Sequence, residues 1–490
     1  MTQEGGLVRR IISGTVWQGG TLFFQSGLRF LTKLVLAYLL VPEDFGLIGM
    51  ALVFTGLVLT ISEAGLGSAL VQRKGDNLRA DEKRSAHLAA IALSVGFYCL
   101  VVFPGAYGVA AFFDEPRLQV IAWVMGLAVV IRSFATWEFA ALRRELRFRE
   151  WALIEALAAL VACVLAIALA LGGAGVWSIV AQSLIFNLVL TVSLKVRVKS
   201  LDGGRFSWDA LKGFLSYSLF VTGNQLLRFL TEKLDYLVVG RIVGASQLGL
   251  YTLAFMLTDT IRHQIMAALT QVLFPIYSQV QEDREKVNRF YLAAIRFNCF
   301  FVFPLVGFYL LYSKELIVLV FGSAWKGAEV PLFFLAIAAL IHTIGGTSDA
   351  VLKAIGYPEL QFRIQATKLV IFTLPAMIAA TMWQGLLGAT VVIVVDKVIE
   401  RIWYQHYMHR YVGTKEREIA AAVAPALLGL MVMVASLYLF REFLYPETLG
   451  ALLGVGLLGG LVYLSMTVPL LVPEARRLYK TVQEKRGQKD

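Results

Sequence analysis

With 490 residues, 58% of them hydrophobic, and a mean hydropathy of +0.70, the chain is far too apolar for a water-soluble protein. A net charge of +11 would point to nucleic acid in a soluble chain; here Lys and Arg sit in short loops and at the ends of apolar segments, so they report topology, and no nucleic-acid partner is expected. Cys99, Cys163 and Cys299 lie in separate apolar segments without a CxxC pair, which argues against a disulfide framework or a metal site and reads as small core residues.

Arg9 and Arg10 precede a long apolar segment without a short h-region and cleavage site, so a retained first helix is expected and not a signal peptide. Testing each apolar run against the length needed to cross a bilayer gives about fourteen spans. In chain order they are 14–40, 44–70, 86–112, 118–141, 151–171, 174–196, 213–243, 247–273, 290–312, 329–351, 362–383, 385–409, 417–440 and 447–472. The loops between them alternate in charge. One set, from Arg73 to Arg84, Arg143 to Arg149, Lys195 to Arg205, Arg284 to Arg289, Lys353 to Arg363, Arg410 to Arg417 and Arg476 to Lys489, is rich in Lys and Arg. The other set carries at most one such residue per loop, except Ser313 to Glu329 with Lys314 and Lys326. The positive-inside rule makes the first set cytoplasmic, so both termini are expected inside.

The chain repeats itself. Leu28-Arg29-Phe30-Leu31-Thr32 recurs identically at 227–231, Val41 to Leu47 corresponds to Gly244 to Leu250, and Glu145-Leu146-Arg147-Phe148 is echoed by Glu359-Leu360-Gln361-Phe362. Matches in the same order imply duplication of a six-span unit, and an even unit duplicates in parallel orientation. The expected organisation is an all-α polytopic membrane protein: an N-lobe over 1–205, a C-lobe over 206–412, two further helices over 413–472, and a basic cytoplasmic tail over 473–490.

Charges inside the spans are the candidate functional residues, because a charge at membrane depth costs at least about 2.5 kcal/mol and is expected to face protein or a water-filled cavity. Gln25 and Arg29 share one helical stripe of the first span, with Lys33 at its edge. Asn224, Arg228 and Asp235 share one face of the seventh, with Glu232 in the place of Lys33 and Lys233 on the opposite side. Arg132 is mid-span in the fourth segment, Asp259 and Arg262 are three apart in the eighth, and Asp396 with Lys397 is mid-span in the twelfth. Glu138, Glu155, Asp349, Lys368, Glu400 and Arg401 fall nearer span ends, where capping or snorkelling explains them. The mid-depth excess is cationic and suits a multiply anionic ligand such as a diphosphate. Asp235, Asp259, Arg262 and Asp396 serve either a coupling H+ or Na+ or simple charge balance; no other cofactor is expected. The chain contains no GxxxxGK[ST] and no HExxH motif, so neither direct nucleotide coupling nor zinc chemistry is indicated. Gly450, Gly454, Gly456 and Gly460 give small-xxx-small spacing in the last span, expected to pack helices.

Several segments together resemble the polysaccharide transporter family of Wzx-type oligosaccharide flippases, nearest its exopolysaccharide or colanic-acid exporters. They are Phe45-Gly46-Leu47, Gly65 to Arg73, Leu142 to Phe148, Leu234 to Arg241, and Phe321-Gly322-Ser323-Ala324-Trp325. The resemblance implies the multidrug/oligosaccharidyl-lipid/polysaccharide exporter fold, with two six-helix lobes around a central cavity that opens alternately to each side. It also implies an undecaprenyl-diphosphate-linked oligosaccharide as substrate, the bacterial inner membrane as location, a monomer, and polysaccharide polymerase or assembly proteins as partners. Cavity arginines that hold the diphosphate are carried over to Arg29 and Arg228, with Lys33 and Arg132 beside them. Three alternatives stay open: a lipid II flippase, a multidrug or cation antiporter of the sister branch, and a membrane-embedded glycosyltransferase or polymerase.

Overall fold

A computed structural model describes residues 25–62, 80–145, 147–198, 203–443 and 445–486, and among these the regular structure is helical, with no strand. Helix occupies described residues of each of the fourteen expected spans. Ten helical runs are individually long and apolar enough to cross a membrane, or eleven when the pair Arg117–Ser133 and Thr136–Leu142, bent by 53°, counts as one. The number falls below fourteen partly because glycine turns leave neighbouring spans in one run: Pro358–Val412 is continuous but breaks direction at Gly385, where φ is 59° and ψ −135°.

The chain forms two compact units, 1–252 and 253–490. In the first, α1 covers 25–39, α2 Pro42–Ser62, α3 Ala80–Phe113, α4 Arg117–Ser133, α5 Thr136–Arg144, α6 Phe148–Leu171, α7 Val176–Arg197 and α8 208–243; α9 begins at 245 and runs on to 279. Why these segments pack as they do is clearest in α6. Ala152, Ala158, Ala159, Ala162 and Ala166 are buried, whereas Leu153, Leu157, Leu160 and Val164 are exposed. Small residues face the neighbouring helices so that backbones approach closely, and large apolar ones face outward, as a lipid solvent requires. Gly173 and Gly175, at φ +80° and +54°, turn α6 back into α7. The two helices pack along their length, with Ile154 and Ala158 meeting Leu190 and Leu194.

The repeat noted in the sequence has a physical counterpart within this unit. A Cβ on Gly46 would lie 1.7 Å from the Ala245 carbonyl oxygen, and one on Gly249 would lie 1.7 Å from that of Pro42. The same offset of 203 residues exchanges the two contacts, as a two-fold relation between the starts of α2 and α9 demands. Only glycine permits such close approach of one backbone to another. Farther along, Gly56 of α2 receives Phe229 and Gly49 receives Tyr236, both of α8.

In the second unit, α10 spans Arg284–Phe321 and a 3₁₀ turn Ser323–Ala328 leads into α11, Glu329–Gly345, followed by α12, Ser348–Ala354. Helix α13 starts at Pro358, passes through a π-helical turn at Leu369–Thr373 and runs to 384; α14 is 386–412, α15 Glu416–Leu439 and α16 Leu449–Arg486. Tyr291, Phe303, Tyr312, Tyr404, Met408 and Met433 centre its core. Trp325, fully enclosed, packs beside Phe321.

Two expectations need correction. Gly456 packs as expected, against the Phe308 ring, but Gly450, Gly454 and Gly460 face open space, because the buried stripe of α16 runs through Leu452, Val455, Gly459 and Tyr463. Close packing of α15 on α16 instead uses Gly459, against Leu437 and Met433, and Gly429, whose Cβ would sit 2.1 Å from Thr467 Oγ1. Cys163 and Cys299 are buried as expected, but Cys99 is exposed.

Candidate functional site

Gln25 opens the described part of α1 and is buried, its Nε2 donating to Glu155 Oε2 of α6 at 3.3 Å. One turn on, Arg29 is exposed and places its guanidinium 4.9 Å from the centre of the Phe186 ring on α7. Another turn brings Lys33, also exposed. A cation-π contact of this kind holds a guanidinium without using its N–H groups, which can then meet an anion. Lys33 lies within electrostatic range of both Arg29 and Lys233. Lys233 of α8 had no sequence argument in its favour, since it falls on the helix face opposite Arg228; its ammonium stands 4.7 Å from the Tyr236 ring. Lys33 and Lys233 are 200 residues apart in the chain, and no local pattern announces their proximity.

Arg132, half-buried at the end of α4, sits 6.0 Å from the Phe139 ring of α5. Asp235 accepts from the Tyr251 hydroxyl and, at 2.9 Å, from the Tyr236 N–H, so its carboxylate is committed to the start of α9. The side chains of Asn224 and Arg228 lie outside the described residues.

In the second unit, Asp259 and Arg262 form the internal ion pair that their spacing allows. Asp396 belongs to a larger assembly. Lys368 Nζ donates to Asp396 Oδ2 at 2.8 Å and to Glu400 Oε2 at 2.6 Å, and Lys397 Nζ reaches the same Glu400 oxygen at 2.8 Å. Lys368 and Glu400, expected near span ends as snorkelling or capping groups, are instead buried, because each finds an opposite charge inside. Glu138 is likewise buried, 3.4 Å from Lys195. Among the described residues, no cluster of His, Cys, Asp and Glu has metal-site geometry.

The fold is that of a polytopic transporter. It matches the lipid II flippase MurJ in an inward closed conformation with a TM-score of 0.74, covering 93% of this chain and 99% of that one at 15% identity. It also matches an inward-facing multidrug transporter of the MATE family, with a TM-score of 0.60 over 80% of this chain and 96% of that one at 18% identity. Likeness at such identity speaks to fold alone. Family membership comes from sequence: residues 35–330 match the polysaccharide biosynthesis protein family, and the chain belongs to it. Among its relatives are the succinoglycan biosynthesis transport protein ExoT of Rhizobium meliloti, 27% identical over 69% of this chain and 67% of that protein, and the lipopolysaccharide biosynthesis protein WzxC of Escherichia coli, 24% identical over 88% and 87%. The probable low-salt glycan biosynthesis flippase Agl15 of Haloferax volcanii is 22% identical over 91% of this chain and 93% of that one. With this fold and these relatives, the chain is a membrane transporter of the flippase class and not an enzyme.

Proposed function

We propose that this protein carries an undecaprenyl-diphosphate-linked oligosaccharide from the cytoplasmic to the outer leaflet of the bacterial inner membrane, for assembly of a surface polysaccharide. The observation that carries the reading is the group Arg29, Lys33 and Lys233: exposed or half-buried cations on apolar helices, with Lys33 in electrostatic range of the other two. A diphosphate is the ligand that such a group serves best, because Arg contributes bidentate, pH-independent contacts and the lysines add charge from other directions. An acidic, aromatic-lined cavity would suit a drug or organic cation; these residues have the opposite sign.

In this reading two six-helix lobes, 1–205 and 206–412, alternate in exposing the headgroup site, with both termini and the tail over 473–490 cytoplasmic by the charge of the loops. The polyprenyl tail stays in the bilayer while the sugar passes through the protein. Arg228 repeats Arg29 and is assigned the second guanidinium contact, with Arg132 in support. Fluorescent lipid-linked oligosaccharide flipped by purified protein in liposomes tests the assignment. Arg29→Ala and Arg228→Ala are each expected to lower the rate at least tenfold with insertion unchanged, and wild-type rates in both would overturn it.

A further inference from the structure

The charged assembly of the second unit plays no part in the headgroup reading, and its geometry is specific. Asp396 and Glu400 lie one turn apart on α14 and turn their carboxylates toward α13. Their side chains are 9% and 8% exposed, and that of Lys368 between them is 4% exposed. The remaining Asp396 oxygen, Oδ1, accepts from Thr373 Oγ1 at 2.6 Å. Lys397 approaches Glu400 from the more open side, 27% exposed, and His342 Nδ1 of α11 stands 3.7 Å from Glu400 Oε1. Arg262, Asp349 and Tyr404 are further titratable groups within electrostatic range.

The backbone is adapted to this arrangement. Lys368 and Thr373 are five residues apart, which in an α-helix separates them by about 140° around the axis. The π-helical turn at Leu369–Thr373 closes its hydrogen bonds over five residues instead of four, bringing both side chains onto the two oxygens of one carboxylate. π-turns of this kind occur frequently at functional sites. A buried ion pair adds little net stability compared with apolar packing, so stability alone is a poor reason to build one.

Two carboxylates a turn apart with a hydroxyl beside them, shielded from water, are an oxygen set for a hard cation. The charge count says which kind. Asp396 and Glu400 balance Lys368 and Lys397; without Lys368 the set carries one net negative charge, which one monovalent ion would cancel. We propose that Asp396, Glu400 and Thr373 form an alkali-cation site occupied by the chain's own Lys368 ammonium, so that this protein binds no Na+ there, and that removing the ammonium converts the site into one that does. The consequence goes beyond the substrate reading: Na+ binding at this site is not what drives transport.

Thermal unfolding of the full chain in lipid nanodiscs tests this without any transport substrate, so its outcome is separate from that of the headgroup assignment. Measurements at pH 8 compare NaCl, KCl and choline chloride at equal ionic strength. The wild-type Tm is expected to be the same in all three. Lys368→Met, of similar length but uncharged, is expected to have a lowered Tm in choline that rises saturably with Na+, and Lys368→Met/Asp396→Asn to lose that response. Lys368→Arg, which keeps the charge, should remain indifferent to the salt. A saturable Na+ response of the wild type overturns the proposal. So does a Lys368→Met protein that is destabilised equally in every salt, the result for a structural ion pair, or one rescued by acid and not by Na+, the result for a proton site. If Lys368→Met is not recovered folded, the wild-type comparison decides, together with Asp396→Asn, which keeps the ammonium and is expected to be salt-indifferent.

Discussion

At the scale of single residues, the cations divide into those that stand open and those that are locked to a partner. Arg29 and Lys233 rest on aromatic rings, whereas Arg262, Lys368 and Arg117 are tied to carboxylates. Of these five, Arg29 and Lys233 are the ones whose charge is not already committed to a described carboxylate. Lys233→Glu is expected to slow translocation at least tenfold and Lys233→Arg to preserve most of it, measured in the same liposome assay; equal rates for both would remove Lys233 from the site. Burial without charge governs Trp325, which is fully enclosed, so Trp325→Ala is expected to cost about 3–5 kcal/mol, read from denaturant unfolding in detergent. Outside the spans, the Arg117 side chain hydrogen-bonds Glu115 and holds its carboxyl below the usual range. Because the folded-state value is depressed, the contribution is present above the ordinary carboxylate pKa of about 4.3 and is lost as pH falls through the lower value. The pair is exposed and its effect small, so Glu115→Gln should flatten the acid limb of the Tm profile only slightly.

At the scale of elements, glycine decides where helices touch. Gly46 and Gly249 seat the starts of α2 and α9 on each other's carbonyl groups, and an added methyl has no room at 1.7 Å from a backbone oxygen. Gly46→Ala and Gly249→Ala are each expected to push these helix starts apart, seen as a longer and broader distance between spin labels at Val41 and Ser246. An unchanged distribution would mean that the contact is not what sets this arrangement. The paired contacts were foreshadowed by the correspondence of Val41–Leu47 with Gly244–Leu250, since equivalent segments meeting about a two-fold axis make each contact twice. Glycine spacing alone misled in α16: Gly450, Gly454 and Gly460 match a packing pattern, yet the helix presents Gly459 to its neighbours. Helical phase, which depends on what surrounds the helix, settles such cases.

At the scale of the molecule, the proposed transport has a ready source of energy. Moving one elementary charge through a membrane potential is worth about 2.3 kcal/mol per 100 mV, and an interior-negative potential favours the outward passage of an anionic headgroup. With the site at Asp396 and Glu400 filled by Lys368, the potential needs no sodium at that position to act. In liposomes carrying a valinomycin-set K+ gradient, translocation is expected to accelerate when the donor side is negative and to slow when the polarity is reversed. A rate indifferent to polarity would mean that the protein supplies compensating charge.

The sequence by itself determined the class, the helical character of the spans and the repeat, because length, hydropathy and loop charge are properties of consecutive residues read against the thickness of a bilayer. It also marked Arg29, Arg132, Asp235, Asp259, Arg262 and Asp396 as charges in apolar surroundings, each costly enough to need a reason. Tertiary structure decided which of them are open and which are paired. Lys368 and Glu400 passed for interfacial residues until α13 and α14 were laid side by side, and Lys233 came within electrostatic range of Lys33 only in the folded chain. Partnership between charges depends on distances across the fold, and a pattern along one helix carries no information about the helix that will face it.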